Sequence, residues 1–199
     1  MKIGVLALQG AFIEHIEIIR RLNVEAVEVR LPKDLHGLSG LIIPGGESTT
    51  ILKLMRIYGL FLHLKKNIGE GFPVWGTCAG MICLAKKVTN SQESELDPLA
   101  VMDIDVKRNA FGRQVDSFET DLVVTALGEK PYHAVFIRAP LISKVGTGVK
   151  VLAKLSDETV VAALQDNMLV TSFHPELTED TRFHEFFLKI ASSKINRVN

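Results

Sequence analysis

Apolar and polar residues alternate along the first half of the chain in a way that predicts strands and helices in turn. Residues 2–8 form an apolar run typical of a β-strand, and residues 25–30 alternate apolar and polar like a second strand. Between these runs, apolar side chains recur at helical spacing, at Phe12, Ile16, Ile19 and Leu22. We therefore expect a strand, an amphipathic helix and a second strand.

The same alternation continues to the middle of the chain. Short strands are predicted at residues 40–43 and 74–75, and helices from about residue 48 and from a turn at Cys78 through Leu84. Ser48 is a favourable N-cap residue, and Gly59 marks a break in the helical pattern. Repeated units of this kind predict a mostly parallel sheet with helices on both faces.

The second half is richer in strand patterns. Strands are predicted at residues 101–106, 122–125, 134–137, 149–155, 159–164 and 168–172, and a closing helix at about 180–192. Residues 90–98 are polar and predict a loop. Because the strands follow one another without helices, we expect an antiparallel extension of the sheet. No repeat or linker interrupts residues 1–199, so the sequence predicts one α/β domain built as a three-layer open sheet.

Composition narrows the possible functions. The 199 residues are 47% hydrophobic and 23% charged, with a formal net charge of +0, which is typical of a soluble globular domain. There is no basic excess to indicate nucleic-acid binding, and the apolar runs are too short to span a membrane. No signal peptide is recognisable, and the pattern of the two cysteines does not indicate a disulfide framework. We expect a cytoplasmic protein.

A cysteine lies in a glycine-flanked turn between a predicted strand and a predicted helix. The segment Gly76-Thr77-Cys78-Ala79-Gly80 has the context of a nucleophile elbow, in which a sharp turn exposes the reactive side chain. A helix N-terminus favours the thiolate there, and a free thiol with a pKa of about 8.5 is otherwise only slightly ionised at neutral pH. The alternative is a small core residue in a tight turn. Cys83 lies among apolar helix residues and is expected to pack in the core.

A histidine and a glutamate follow the last predicted strand. Pro175 favours an extended backbone at His174, which would direct His174 and Glu176 to the same side. A carboxylate in that position can orient an imidazole and stabilise its charged form, so these two residues and Cys78 form a candidate triad. The remaining histidines, at positions 15, 36, 63, 133 and 184, lack metal-ligand spacing. We expect them on the surface or in packing, and we expect no metal.

A second glycine turn, Pro44-Gly45-Gly46-Glu47-Ser48, joins a predicted strand to a predicted helix. Such a turn can direct backbone N–H groups into a cleft, and this one lacks the lysine of a phosphate loop. In a cysteine hydrolase the N–H groups of Gly46 and Ala79 would form the oxyanion hole. The alternative is an ordinary tight turn.

With these motifs in place, the sequence resembles the triad class of glutamine amidotransferases. Within that class it is similar to the glutaminase subunits of pyridoxal phosphate synthase. The resemblance covers nearly the whole chain and is carried by residues 6–11, 44–50, 75–80, 108–114, 136–140 and 172–177. The cysteine elbow and His174-Pro175-Glu176 belong to the whole class, whereas residues 108–114 and 136–140 narrow it to the subfamily. The implied fold is the flavodoxin-like amidotransferase fold.

The resemblance also implies a reaction and a partner. Cys78 would attack the side-chain amide of L-glutamine while His174 transfers protons and Glu176 orients it. Substrate contacts are implied for Gly46, Glu47, Ser48, Arg108, Ile137 and Arg138. Ammonia would pass to a barrel-type synthase subunit in a hetero-oligomeric complex that makes pyridoxal 5'-phosphate, and the glutaminase alone would be weakly active. No cofactor is implied for this chain.

Other functions stay open on the sequence. The chain could serve as the glutaminase subunit of another pathway, such as histidine biosynthesis, and the block at residues 108–114 is what argues against this. It could be a non-catalytic scaffold on the same fold, or a stress-response protein with a cysteine elbow, but neither accounts for a complete triad. Residues 162–167 and 81–83 depart from the pattern of the subfamily. They touch no catalytic position and affect only the expected packing or docking.

Overall fold

The computed structural model describes residues 1–89, 97–108 and 117–193. Within these ranges the α-helices are α1 (Phe12–Arg21), α2 (Ser48–Ile57), α3 (Leu60–Gly69), α4 (Ala79–Leu84) and α5 (Arg182–Ser193). The strands are β1 (Lys2–Leu6), β2 (Glu25–Val29), β3 (Gly40–Ile43), β4 (Val74–Thr77), β5 (Ala85–Thr89), β6 (Met102–Lys107), β7 (Ser117–Leu122), β8 (Tyr132–Ile137), β9 (Leu141–Val145), β10 (Lys150–Lys154), β11 (Val160–Gln165) and β12 (Met168–Thr171).

One large sheet organises the molecule, in the order β2-β1-β3-β4-β12-β11-β9-β6-β5. The five strands from β2 to β12 pair in parallel, whereas β11 and β9 pair antiparallel with their neighbours. Strand β10 pairs with β11, and β7 and β8 form a separate antiparallel hairpin. The expected α/β fold, with a parallel sheet and an antiparallel extension, is confirmed.

Helices cover both faces of the parallel strands. Successive strand residues point to opposite faces, so Ile42 packs on one side, while Leu41 and Ile43 pack on the other. The face that holds Ile42 is covered by α1 and α5, and the opposite face is covered by α2, α3 and α4. Strands that are buried on both faces are apolar at nearly every position, which is why β1 and β3 were readable from sequence.

The predictions fail where strands are exposed or where irregular turns intervene. Residues 122–125 were predicted as one strand, but β7 ends at Leu122 and a 3₁₀-helix occupies Thr125–Leu127. Strands β5 and β9 were not predicted, because each is exposed over much of its length and carries lysines rather than an apolar run. Of the predicted loop at residues 90–98, residues 90–96 lie outside the described residues.

The N-cap of α2 is also different from the prediction. Ser48 is the first helical residue and is buried, and the N-cap is Glu47. The two carboxylate oxygens of Glu47 accept hydrogen bonds from the N–H groups of Thr49 (3.0 Å) and Thr50 (2.7 Å). A carboxylate at this position satisfies two N–H groups that have no partner within the helix, and it also interacts favourably with the helix dipole.

Contact between α4 and β3 yields a stability prediction. A β-carbon at Gly80 would overlap the backbone carbonyl of Ile43, whereas a β-carbon at Gly69 would meet no atom within 4 Å. We expect Gly80→Ala to lower the free energy of unfolding by roughly 2 kcal/mol or more, because backbone atoms must move apart. Gly69→Ala is the matched control and should be neutral or slightly stabilising. Urea unfolding measures both, and equal stability of the two variants would contradict the prediction.

Candidate active site

The carboxyl ends of β3, β4 and β12 meet at one edge of the sheet, and Cys78 follows β4 there. Its backbone has φ 47° and ψ −104°, a strained conformation for a residue with a side chain. The N–H of Cys78 donates to the carbonyl of Thr171 on β12 (2.8 Å), and α4 begins at the next residue. This strand, strained residue and helix form the elbow geometry that the sequence predicted.

Small residues on either side of Cys78 permit the sharp turn. A β-carbon at Gly76 would lie 2.5 Å from the carbonyl carbon and oxygen of Gly80. Gly76 therefore lies against the backbone of Gly80, and Gly80 lies against the backbone of Ile43, so a β-carbon fits at neither position. Cys83, on the far side of α4, is fully buried, and burial raises the pKa of its thiol, so it stays protonated and inert. Both cysteines are free thiols.

His174 and Glu176 lie just beyond the end of β12. His174 Nδ1 is 2.6 Å from Glu176 Oε1, and the backbone N–H of His174 donates to the carbonyl of Val135 (2.8 Å). The two side chains meet as predicted, but the reason is different. Pro175–Leu177 form a 3₁₀-helix rather than an extended chain, and this turn brings the carboxylate back to the imidazole.

The electrostatics of this pair favour a charged imidazole. Burial by itself would lower the pKa of His174, but the interactions with Cys78 and then with Glu176, together with the charges on both, raise that pKa to about 10. Burial would also raise the pKa of Glu176, but the nearby imidazole groups of His15 and His174, together with the hydrogen bond from His174, outweigh it and lower that pKa. Glu176 is therefore ionised at neutral pH, and the charge of an imidazolium at His174 is compensated.

The glycine turn after β3 packs directly against these residues. A β-carbon at Gly45 would lie 2.5 Å from His174 Cε1 and 3.5 Å from Cys78 Cβ. Gly46 follows at an exposed position, and Ala79 is the first residue of α4. Of the two predicted amide donors, Gly46 therefore lies in the turn whose Gly45 packs against Cys78, and Ala79 follows Cys78 directly.

The residues implied as substrate contacts lie around the same edge. Arg108 Nη2 is 3.3 Å from Glu47 Oε1, and Cys78 Sγ is 3.9 Å from the carbonyl oxygen of Ile137. Arg138 follows Ile137, is exposed and has a strained φ of 43°. Ser48 lines a cavity of about 170 Å³ together with Arg108. The rest of the predicted block at residues 108–114 lies outside the described residues.

Two histidines, His15 and His184, lie behind the candidate triad. Both were expected on the surface or in packing, and both are fully buried. His15 Nε2 lies 3.4 Å from Glu176 Oε2, so His15 contacts the triad directly. The available signal was its position on α1, one residue before Ile16 on the apolar face, where a polar side chain needs a partner.

The described parts of the chain contain no group of three or more His, Cys, Asp or Glu side chains arranged to hold a metal ion. No helix among them has both the length and the apolar character needed to cross a membrane.

Sequence comparison finds close relatives over nearly the whole chain. The model of the SNO glutamine amidotransferase family matches residues 5–193. A protein of Dehalococcoides mccartyi named pyridoxal 5'-phosphate synthase subunit PdxT is 60% identical over 191 residues, covering 96% of this chain and 97% of that relative. A protein of the same name from Herpetosiphon aurantiacus is 57% identical over 188 residues, covering 94% and 99%.

Solved structures agree with this grouping. A crystal structure of a glutamine amidotransferase superposes with a TM-score of 0.89 at 52% identity, covering 96% of this chain and 98% of that one. A glutamine amidotransferase from Thermotoga maritima has a TM-score of 0.61 at 14% identity, covering 98% and 85%. The second similarity shows that the fold is shared.

The close packing of Gly45 against the imidazole yields the second prediction. In Gly45→Ala the added methyl group must displace His174 from Cys78, because His174 Cε1 lies only 2.5 Å from its position. We expect alkylation of Cys78 by iodoacetamide at pH 7 to slow by about tenfold or more, because less thiolate is then stabilised. Gly69→Ala is again the control. An unchanged alkylation rate in a folded Gly45→Ala protein would contradict the assignment of His174 as the base.

The raised pKa of His174 yields the third prediction. Since Glu176 helps to raise that pKa to about 10, Glu176→Gln should lower it, so that the imidazole loses its proton at a lower pH. The ring signals of His174, followed by NMR as the pH rises, should shift at lower pH in the variant than in the wild type.

Glu179→Gln is the matched control for this titration, because the Glu179 carboxylate is exposed and pairs with Arg21 rather than with His174. A titration of His174 at the same pH in Glu176→Gln and in the wild type would show that Glu176 does not support the charged imidazole.

Proposed function

The chain belongs to the SNO glutamine amidotransferase family, and from that membership we propose that it hydrolyses L-glutamine to glutamate and ammonia. The observation that carries the proposal is that His174 Nδ1 lies 2.6 Å from Glu176 Oε1 while the same imidazole interacts with Cys78, the residue of the elbow. This arrangement supplies a nucleophile, a base and an orienting carboxylate in one crevice. Cys78, His174 and Glu176 are the proposed catalytic residues, and the proposed glutaminase domain spans residues 1–199.

The reaction follows from these roles. The Cys78 thiolate attacks the amide carbon of the glutamine side chain, and its proton is held on His174. The N–H groups of Gly46 and Ala79 stabilise the negative oxygen of the tetrahedral intermediate. His174 then protonates the departing nitrogen, so that ammonia leaves and a γ-glutamyl thioester remains. Water gives a proton to His174 and attacks the thioester. Glutamate and the Cys78 thiolate are then released, and the proton on His174 restores the starting Cys78–His174 pair.

Substrate binding is proposed for the residues around the elbow, which are Gly46, Glu47, Ser48, Arg108, Ile137 and Arg138. A guanidinium group can bind the α-carboxylate of glutamine in a bidentate manner, and a carboxylate can bind the α-ammonium group. Arg108 and Glu47 form an ion pair of 3.3 Å and would supply these two charges. The bound amino acid would then be held by both ends of its zwitterion while its amide reaches Cys78.

The partner is proposed from the names of the relatives. Proteins 57% to 60% identical to this chain are called subunits of pyridoxal 5'-phosphate synthase. We propose that ammonia from this chain is used by a barrel-type synthase subunit in a hetero-oligomeric cytoplasmic complex that makes pyridoxal 5'-phosphate. No cofactor is required for the steps above. None of the matches described favours a role in histidine biosynthesis or as a scaffold.

The fourth prediction tests this proposal directly. Glutamate production from glutamine should be low for the chain alone, rise when the synthase subunit is added, and fall to background in Cys78→Ala. The alanine variant removes the nucleophile and keeps a β-carbon at the strained position, so it is a matched control. Activity that depends on Cys78 but ignores the synthase would assign the glutaminase to another pathway. No activity in a complex that forms would contradict the catalytic proposal.

A further inference from the structure

A buried pair of histidines lies directly behind the triad. His15 comes from α1 and His184 from α5, and both side chains are fully buried. His15 Nδ1 is 3.0 Å from His184 Nε2, and His15 Nε2 is 3.4 Å from Glu176 Oε2. Trp75 packs edge-on against both rings, with its ring centroid 5.6 Å from that of His15 and 4.9 Å from that of His184. Three elements of the fold thus place two imidazoles in a line that ends at the carboxylate.

The histidine pair is important because His15 approaches the second carboxylate oxygen of Glu176. Glu176 Oε1 is bonded to His174, but Oε2 is buried and makes no hydrogen bond to the part of the chain that the structure describes. A buried carboxylate oxygen without a donor is costly. The ring nitrogen of His15 approaches it at 3.4 Å, slightly longer than a normal hydrogen bond. Contacts of this kind in catalytic sites tighten when substrate binds and charge develops.

The tautomers of the two histidines follow from their neighbours. If Nε2 of His15 carries the hydrogen, it faces the carboxylate as a donor, and Nδ1 accepts from Nε2 of His184. The opposite tautomer would direct a lone pair at the carboxylate and would leave a hydrogen on His184 Nδ1, which is buried without a partner. An unpaired buried donor is costly, so the first arrangement is favoured. His184 therefore fixes the tautomer of His15.

We propose that His15 is a positioning residue of the triad, whose Nε2–H donates to Glu176 Oε2 and keeps Oε1 directed at His174. The proposal rests on the glutaminase function proposed above. The carboxylate is then held at both oxygens, one by the catalytic imidazole and one by His15. Without His15, the carboxylate could rotate away from His174, and its charged form would lose a donor. The His174 imidazole would then be less well oriented for proton transfer, although no group in contact with the substrate had changed.

The surroundings of His15 support a neutral donor rather than a second charge. Burial lowers the pKa of His15 and the nearby His174 lowers it further, while Glu176 and, more weakly, Glu14 only partly oppose that lowering. The hydroxyl of Thr77, on β4, is 3.4 Å from His15 Nε2 and carries no charge. Burial also lowers the pKa of His184, and His15 and Arg21 lower it further. Both histidines are therefore neutral at pH 7.

The fifth prediction compares two substitutions of His15 in the complex with the synthase subunit. His15→Leu introduces an apolar side chain of similar size and removes the donor. We expect kcat to fall roughly 10- to 100-fold with KM nearly unchanged. His15→Gln can place an amide N–H near the position of Nε2 and should recover most of the loss. His36→Leu, at an exposed histidine, should behave as wild type.

The pH profile separates positioning from a structural role. Removing a donor to Glu176 raises the pKa of its carboxyl, so the acid limb of kcat/KM should move to higher pH in His15→Leu and return toward the wild-type position in His15→Gln. An unchanged kcat and acid limb in folded His15→Leu would overturn the proposal. So would a loss of activity that His15→Gln shares when both variants match the thermal stability of the wild type.

Two measurements keep the proposal testable if His15→Leu does not fold or if glutamine is not the substrate. In the wild-type protein, long-range ¹H–¹⁵N correlation should show the hydrogen of His15 on Nε2, and finding it on Nδ1 would overturn the proposal. The rate of Cys78 alkylation by iodoacetamide reports on the triad without any substrate. A slower rate in His15→Gln than in His15→Leu would overturn the proposal even if glutamate production failed for every protein, wild type included.

Discussion

Parallel pairing of β4 with both β3 and β12 determines where every proposed catalytic residue lies. Ile43 pairs with Gly76, and Thr171 pairs with Thr77, so the three strands end within a residue or two of one another. Parallel strands direct their carboxyl ends to the same edge, which is where open α/β sheets bind ligands. The glycine turn, the cysteine elbow and the histidine segment begin at those ends. A shift of register in any of the three strands would separate Cys78 from His174.

The second requirement is a buried charge, and the structure surrounds it with polar groups from several elements. Glu176 is buried with the imidazole of His174 on one side and that of His15 on the other. An ionised carboxylate in an apolar site would take up a proton, and it would then no longer stabilise an imidazolium. Helices α1 and α5 therefore contribute more than apolar packing to this face of the sheet. They bring the imidazoles of His15 and His184 to the region of the buried Glu176 carboxylate.

Much of the fold and of the proposed triad could be predicted from sequence because each signal is local. Buried parallel strands give continuous apolar runs, and the cysteine elbow and His174-Pro175-Glu176 are short motifs. The missed features depend on distant contacts. Strand β9 carries a lysine and is recognisable as a strand only beside β6 and β11. The contact of His15 with Glu176 joins two residues that are far apart in the sequence. Arg108 and Arg138 were identified by resemblance alone, since arginines in these positions have no distinctive local pattern.

The strained backbone of Cys78 sets activity against stability. A residue with a side chain at φ 47° and ψ −104° costs about 1–3 kcal/mol, a cost that glycine would largely avoid. Substitution of Cys78 by glycine would give a more stable protein without the proposed nucleophile. A relative that catalysed no reaction and only bound a partner could carry glycine at this position. Retention of cysteine at this position is therefore a trade-off in which the fold stays less stable than it could be.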